Sequence, residues 1–300
     1  MATGRFAPSP TGSLHVGNLR TALLSWLFAR SAGSPHLLRV EDLEDRPDSR
    51  GFEAEQRADL AALGVDWDGP VMRQSERRAR HAEVLDDLVG RGLTYPCYCT
   101  RREVAEAAAA PHGQPPGAYP GTCRDLTAAG RAAHEDAGRP AALRLRTEGQ
   151  VVTIVDRLHG EVAAVVDDLV LRRNDGIPAY NLAVVVDDAD QGVEEVVRGD
   201  DLLSSTPRQA HLADLLGLTR PTWAHVPLVV GADGERLAKR HGAVTLADLA
   251  ADGVGPDELR SQLAVGLGLA DEGEPVAMSD LLARFAPDQV PLAPWTYERR

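Results

Sequence analysis

Residues 5–20 read Arg-Phe-Ala-Pro-Ser-Pro-Thr-Gly-Ser-Leu-His-Val-Gly-Asn-Leu-Arg, and this stretch decides the fold. Arg5–Ala7 predicts a strand, and Pro8 and Pro10 stop it, because proline fixes φ and has no N–H for a ladder. Gly12 supplies a hinge, and a helix is predicted to open near Gly17. A glycine-bearing strand-to-helix turn brings backbone N–H groups toward an anion, and the helix dipole favours the same charge. His15, just before the helix, offers that anion a proton or a positive charge. The same residues also fit a plain tight turn capping a buried helix, so the neighbouring segments decide between the two.

Outward from this turn, Thr21–Ala32 carries a helical stripe of Leu23, Leu24, Leu27 and Phe28, ended by Gly33-Ser34-Pro35. His36–Asp42 is then a short apolar strand closing on two carboxylates. Strand, helix and strand with a short return make a βαβ unit, and a parallel sheet binds ligands at the carboxyl ends of its strands. Glu41 and Asp42 are therefore expected beside the Pro8–His15 turn.

Helices are predicted over Asp48–Leu63 and over Ser75–Val89, the second with Ser75 as its N-cap. Residues 93–126 break the alternation with an alanine-rich helix and a Pro/Gly-rich run. Thr127–Ala137 predicts another helix. Short strands follow at Ala141–Arg146, Val151–Asp156, Val162–Val166, Leu169–Arg172 and Tyr180–Val186. Asn174-Asp175-Gly176 signals a hairpin between the last two. Val193–Arg198 and Ala224–Val230 are further strands, separated by a helix over Leu202–Leu216 that Asp200 or Asp201 caps. A glycine-rich loop spans 231–242, and the remainder is mostly helical.

The chain has 300 residues, 43% hydrophobic and 26% charged, the balance of a globular protein. The expected class is α/β. No apolar run approaches a membrane span and the N-terminus has no apolar signal region, so a cytoplasmic protein with no membrane partner is expected. A net charge of −13 argues against non-specific coating of nucleic acid, though not against a local basic patch. Arg101, Arg102 and Arg124 are candidates for phosphate contact.

The three cysteines all fall between residues 97 and 123, too few for a disulfide framework and clustered as metal ligands are. Cys97-x-Cys99 is followed by Tyr119-Pro-Gly-Thr-Cys123. Zinc takes about four donors in a tetrahedron, and three thiolates with the Tyr119 phenolate could supply them. His112 is the alternative fourth ligand. A segment with little core of its own gains its stability from such a metal.

Five pieces now stand in order: Arg5-Phe-Ala-Pro-Ser-Pro-Thr-Gly, His15-Val-Gly-Asn18, Leu38-Arg-Val-Glu-Asp42, Val197-Arg-Gly-Asp-Asp-Leu202 and Arg236-Leu-Ala-Lys-Arg240. Together they resemble the catalytic core of class I glutamyl-tRNA synthetases, from about residue 4 to about residue 250. The resemblance implies a Rossmann-like parallel-sheet core in two halves, 1–92 and 141–250, around a zinc-bearing insertion at 93–140, with a short helical region at 251–300. It implies activation of L-glutamate by ATP with Mg²⁺. His15, Gly17 and Asn18 stand at the His-Ile-Gly-His signature and would contact ATP, Asn18 replacing the last histidine. Arg236–Arg240 stands at the mobile Lys-Met-Ser-Lys-Ser loop, where Lys239 would hold the β- and γ-phosphates. His15 and Lys239 would carry the catalysis. Arg5, Phe6, Ala7, Pro8, Ser9, Glu41, Tyr180 and Arg198 would recognise glutamate: arginines for its carboxylates, Glu41 for its ammonium, a hydroxyl from Tyr180.

Only sixty residues follow Arg240, fewer than a helical anticodon-binding domain needs. The shortened, zinc-bearing form is similar to the glutamyl-queuosine branch of the family. That implies tRNA-independent glutamyl-adenylate formation and transfer of glutamate to queuosine in the anticodon stem-loop of tRNA(Asp), by a monomer. Two other readings are a minimal synthetase charging a tRNA 3′ end and a non-catalytic RNA-binding paralogue.

Overall fold

The computed structural model describes residues 2–44, 46–108, 119–231, 233–234, 237 and 244–298. The first half runs β1 (Gly4–Phe6), α1 (Val16–Ser31), β2 (His36–Val40), α2 (Ser49–Leu63), β3 (Met72–Arg73) and α3 (Arg78–Gly90). Then come β4 (Thr94–Cys97), α4 (Arg101–Ala108), α5 (Ala128–Asp136), β5 (Ala142–Leu145), β6 (Val151–Asp156), β7 (Gly160–Val165) and β8 (Val170–Arg172). The second half adds α6 (Tyr180–Asp190), β9 (Glu195–Gly199), α7 (Thr206–Leu215), β10 (Thr222–Val226) and β11 (Val229–Val230). The chain closes with α8 (Leu246–Ala251), α9 (Pro256–Gly266), α10 (Met278–Arg284) and β12 (Trp295–Thr296).

Among the described residues, the main sheet has seven strands in the order β3-β2-β1-β9-β10-β6-β7. Its pairs are parallel except β6–β7, which is an antiparallel hairpin. β1 therefore sits beside both β2 and β9, so the carboxyl ends of the two half-sheets meet at one crevice, the place where open parallel sheets bind ligands. A smaller antiparallel sheet, β4-β5-β8, joins residues on both sides of position 140. Among the described residues, no helix is long and apolar enough to cross a membrane.

α1 explains why the opening turn is fixed in place. Leu19, Leu23, Leu24 and Leu27 are fully buried, because the sheet covers one side and α2 and α10 cover others. A helix buried around most of its circumference, with Arg20 and Ser25 buried as well, is a helix inside the protein.

Five local expectations are corrected. Tyr180–Val186 is the start of helix α6, not a strand. A continuous apolar run bounded by turns fits either state, and here Leu182, Ala183 and Val186 bury themselves as a helix packed against α3 and α7. The Asn174–Gly176 turn does form, with Gly176 at φ +85°, but it returns the chain only to a bridge between Arg172 and Pro178. Ser75 lies in a 3-10 turn over Gln74–Arg77, where its N–H and hydroxyl both donate to the Asp42 carboxylate. Asp200 and Asp201 likewise lie within a 3-10 segment ahead of α7, and the predicted Ala224–Val230 strand divides into β10 and β11 at Pro227.

Candidate active site

A cavity of about 650 Å³ opens at the carboxyl ends of β1, β2 and β9. Arg5, Phe6, Ala7, Pro8, Ser9, His15, Gly17, Asn18, Glu41, Tyr180 and Arg198 all line it. Lys239 and the rest of 238–243 lie outside the described residues, as does Arg236. A larger cleft of about 1010 Å³ lies between α9, the segment before α10, and β12. Its rim carries Asp257, Glu258, Glu272, Glu274 and Asp280, the wrong sign for phosphates or carboxylates, so the smaller cavity is the candidate site.

The opening turn is braced from three directions. Glu41 N–H donates to Pro8 O at 2.9 Å, tying β2 to it. The Gln56 amide on α2 donates to Ser9 O (3.1 Å) and Gly12 O (2.7 Å). Val16 N–H donates to Val244 O at 2.9 Å, which ties the start of α1 to the far side of the glycine-rich loop.

His15 is the N-cap of α1. Its Nδ1 accepts from the backbone N–H of Gly17 (3.1 Å) and of Asn18 (3.4 Å), and Asn18 Oδ1 accepts from the His15 N–H (3.2 Å). With Val16 N–H bonded to Val244, the first amides of the helix are already satisfied inside the protein. The expected anion grip by those amides is therefore not what this turn offers. Because backbone N–H groups only donate, Nδ1 holds a lone pair here, and the ring's proton sits on Nε2. His15 thus presents a neutral donor rather than a positive charge. A Cβ at Gly17 would meet His15 Cε1 at 2.9 Å, so glycine is required for the ring to fold back over the helix.

The opposite wall is a buried ion cluster. Arg5 Nε and Nη2 donate to the two oxygens of Asp188 (3.1 and 3.2 Å). Arg39, fully buried, donates to Asp188 at 2.6 Å and lies 3.6 Å from Glu41. Burial pushes the Glu41 carboxyl above its ordinary range against the pull of Arg39 and Arg5. Burial acts the same way on Asp188, but Arg39 and Arg5 outweigh it and hold that carboxyl low. Arg198, on β9, adds a third guanidinium, with Nη1 3.5 Å from the Tyr180 hydroxyl. Three cations against Glu41 and Asp188 leave one positive charge, the complement of a zwitterion with two carboxylates and one ammonium.

Asp188, Arg39 and Gln56 were missed in the sequence, together with His225 and Asp156 behind Arg198. Arg39 had a signal, a cation inside the apolar strand His-Leu-Leu-Arg-Val. Asp188 would have shown itself had α6 been read as a helix.

The second constellation assembles as expected. Cys97, Cys99 and Cys123 place their sulfurs within 4.8 Å of one another and could hold a metal ion. The Tyr119 hydroxyl lies 3.3 Å from Cys97 Sγ and 3.8 Å from Cys99 Sγ, and Cys99 and Cys123 Sγ are 3.5 Å apart. A tetrahedron with metal–sulfur bonds of about 2.3 Å has edges of about 3.8 Å, so these donors fit it. Arg144 lies 3.6 Å over the Tyr119 ring and offsets thiolate charge. His112, the other candidate ligand, lies outside the described residues. Arg124 is occupied by Asp168 at 2.7 and 2.9 Å, which makes it a brace of this region, while Arg101 and Arg102 are exposed on α4.

Comparison with known proteins gives the same picture. The family model for class I tRNA synthetases (E and Q), catalytic domain, matches residues 1–299. The chain is 61% identical over 293 residues to a glutamyl-Q tRNA(Asp) synthetase of Nocardia farcinica, covering 97% of this chain and 92% of that protein. It is 49% identical to a glutamyl-Q tRNA(Asp) synthetase of Cutibacterium acnes, covering 96% and 82%. Among solved structures it is similar to a glutamate tRNA ligase from Elizabethkingia meningosepticum in complex with its amino acid. That likeness has TM-score 0.80 and 25% identity, over 99% of this chain and 67% of the longer one. The chain therefore belongs to the class I tRNA synthetases, within the glutamyl-Q tRNA(Asp) synthetase family.

Proposed function

We propose that this protein activates L-glutamate with ATP and transfers it to queuosine in the anticodon stem-loop of tRNA(Asp). The observation that carries the amino-acid half is the wall of Arg5, Glu41 and Arg198, whose charges complement glutamate and no neutral amino acid. The relatives' names support the acceptor.

In this reading Arg5 and Arg198 each bind one carboxylate of glutamate, Glu41 takes its ammonium, and Tyr180 and the Phe6–Ser9 backbone shape the pocket. A carboxylate oxygen attacks the α-phosphorus of ATP, and the bond to pyrophosphate breaks. The protein's share is positioning and neutralisation of charge on the phosphate oxygens. His15 donates from Nε2, Gly17 and Asn18 hold that donor in place, and Lys239 holds the β- and γ-phosphates of the Mg²⁺-bound nucleotide. The flanks of the Lys239 loop support this: Leu237 N–H donates to Val229 O, and Val244 O accepts from Val16 beside His15. An acceptor hydroxyl then attacks the glutamyl carbonyl and AMP leaves. Cys97, Cys99, Cys123 and Tyr119 hold one structural zinc, which stabilises the insertion and takes no part in the chemistry.

Pyrophosphate exchange dependent on glutamate, without any RNA, tests the activation step. Exchange with glutamate but not glutamine or aspartate is expected; no exchange without RNA would refute it. Lys239→Ala should slow exchange while leaving glutamate affinity in place, and a change confined to glutamate affinity would remove Lys239 from the phosphate role.

A further inference from the structure

Behind Arg198 stands a buried chain of hydrogen bonds that the reaction scheme does not use. His225, on β10, is fully buried, as is Asp156 at the end of β6. Asp156 Oδ2 lies 2.6 Å from His225 Nδ1, and its oxygens also accept from the backbone N–H of His225, Leu158 and His159. Four possible donors thus converge on one carboxylate that only accepts, so Nδ1 of His225 carries the proton. Its Nε2 is left as an acceptor, and Arg198 Nε donates to it at 3.1 Å. Thr206, at the start of α7, accepts from Arg198 Nη2 at 2.9 Å. One edge of the guanidinium is taken by protein. The end-on fork toward Tyr180 and the cavity remains.

We propose that His225, oriented by Asp156, is a positioning residue that sets the Arg198 guanidinium for one carboxylate of the amino-acid substrate; this rests on the reading of Arg198 given above. The opposite tautomer would place an N–H against the Arg198 N–H across 3.1 Å, and the side chain would have to turn away. Asp156 excludes that tautomer, as a carboxylate fixes an imidazole in other sites.

Protonation of His225 has the same effect as the wrong tautomer and adds a like charge. Burial and the Arg198 charge oppose it, and both hold the imidazole below its ordinary range although Asp156 pulls the other way. The charged or titratable groups facing His225 are Asp156 from β6, Arg198 from β9, and His159, whose Nε2 lies 2.9 Å from the His225 carbonyl. Those facing Arg198 in the cavity are Tyr180, Arg5, Asp188 and Glu41. Glutamate affinity is therefore expected to fall on the acid side through His225, and Glu41 offers a rival cause that the variants separate.

The test is calorimetric binding of glutamate, with glutamate-dependent pyrophosphate exchange, for the parent, His225→Asn, His225→Gln and Arg198→Lys. Asn reaches only the Nδ1 position; Gln places an oxygen where Nε2 was and does not titrate. His225→Asn should weaken glutamate about tenfold, with the KM for ATP and kcat within about twofold, the loss of one charge-assisted hydrogen bond. His225→Gln should bind glutamate within about threefold of the parent at mildly alkaline pH and lose the acid-side weakening. Parent-like glutamate binding by His225→Asn would overturn the proposal, as would an equal loss of ATP and glutamate affinity. An acid-side weakening retained in His225→Gln would overturn it too and assign that limb to Glu41. If Arg198→Lys binds glutamate as the parent does, the reading of Arg198 itself falls, and the proposal with it.

Discussion

His15 and Asn18 close on each other across one turn of α1: Asn18 N–H donates to His15 Nδ1 at 3.4 Å, and His15 N–H donates to Asn18 Oδ1 at 3.2 Å. Asn18 is thus the second half of a capping box. An amide at this position costs the site a charge and supplies the acceptor that holds the His15 backbone. Asn18→Ala should lower stability by about 1 kcal/mol and raise the KM for ATP, because the His15 donor loses its brace. Asn18→Asp keeps the acceptor, so it should melt near the parent temperature yet activate glutamate more slowly, a carboxylate now facing the triphosphate. Thermal unfolding and exchange kinetics on the two variants check this; an Asn18→Ala protein with parent stability would show that Asn18 does not cap the helix.

Asp188 is the only carboxylate hydrogen-bonded to both Arg5 and Arg39 among the described residues. Asp188→Asn leaves two buried guanidiniums without their shared anion. Removing one partner of a buried pair costs about 3–5 kcal/mol, and denaturant unfolding should show a loss of that order. Glutamate affinity should fall as well, since Arg5 loses its orientation. A loss below about 1 kcal/mol would show that water or Glu41 compensates the cluster.

These two cases mark how much the sequence revealed. Pro8, Pro10, Gly12 and the apolar stripe of α1 are local signals, and they place the turn, the βαβ unit and the candidate site near β1. The Cys97–Cys123 cluster is likewise legible, because its spacing is its chemistry. The α6 error had a local cause as well: Ala-Val-Val-Val satisfies a strand and a buried helix equally. Asp188 and His225 are different. Arg5 and Asp188 are 183 positions apart, and His225 and Asp156 are 69 apart, so their pairing exists only once the sheet order is known.

His36 gives the fold a pH dependence. It is fully buried, its Nδ1 2.9 Å from Asp66 O and its Nε2 2.7 Å from Ser25 Oγ. Burial pushes its pKa from 6.5 down to about 4. Between those values the unfolded chain binds a proton that the native state does not, so this contribution is complete above about pH 6.5 and lost as pH falls toward 4. The full loss is about 3 kcal/mol by linkage. Urea unfolding across that range should show stability rising with pH, and His36→Gln should flatten the rise; an unchanged slope in the variant would place the effect elsewhere.

Metal analysis of the purified protein should return about one zinc per chain, as a four-donor structural site requires. Cys97→Ser or Cys123→Ser should lose it and expose the segment around Tyr119 to proteolysis. Glutamate activation should fall much less than metal content, since the cluster lies apart from the cavity-lining residues. Metal-free parent protein with an intact protease-resistant insertion would contradict the site.

The acceptor is what separates this proposed activity from the charging of a tRNA 3′ end. Labelled glutamate, ATP and Mg²⁺ should be supplied with tRNA(Asp) carrying queuosine, tRNA(Asp) lacking it, or tRNA(Glu), and the RNA then digested to locate the label. Label is expected only on queuosine-bearing tRNA(Asp), in the anticodon fragment. Label at the 3′ end of any tRNA would refute that acceptor.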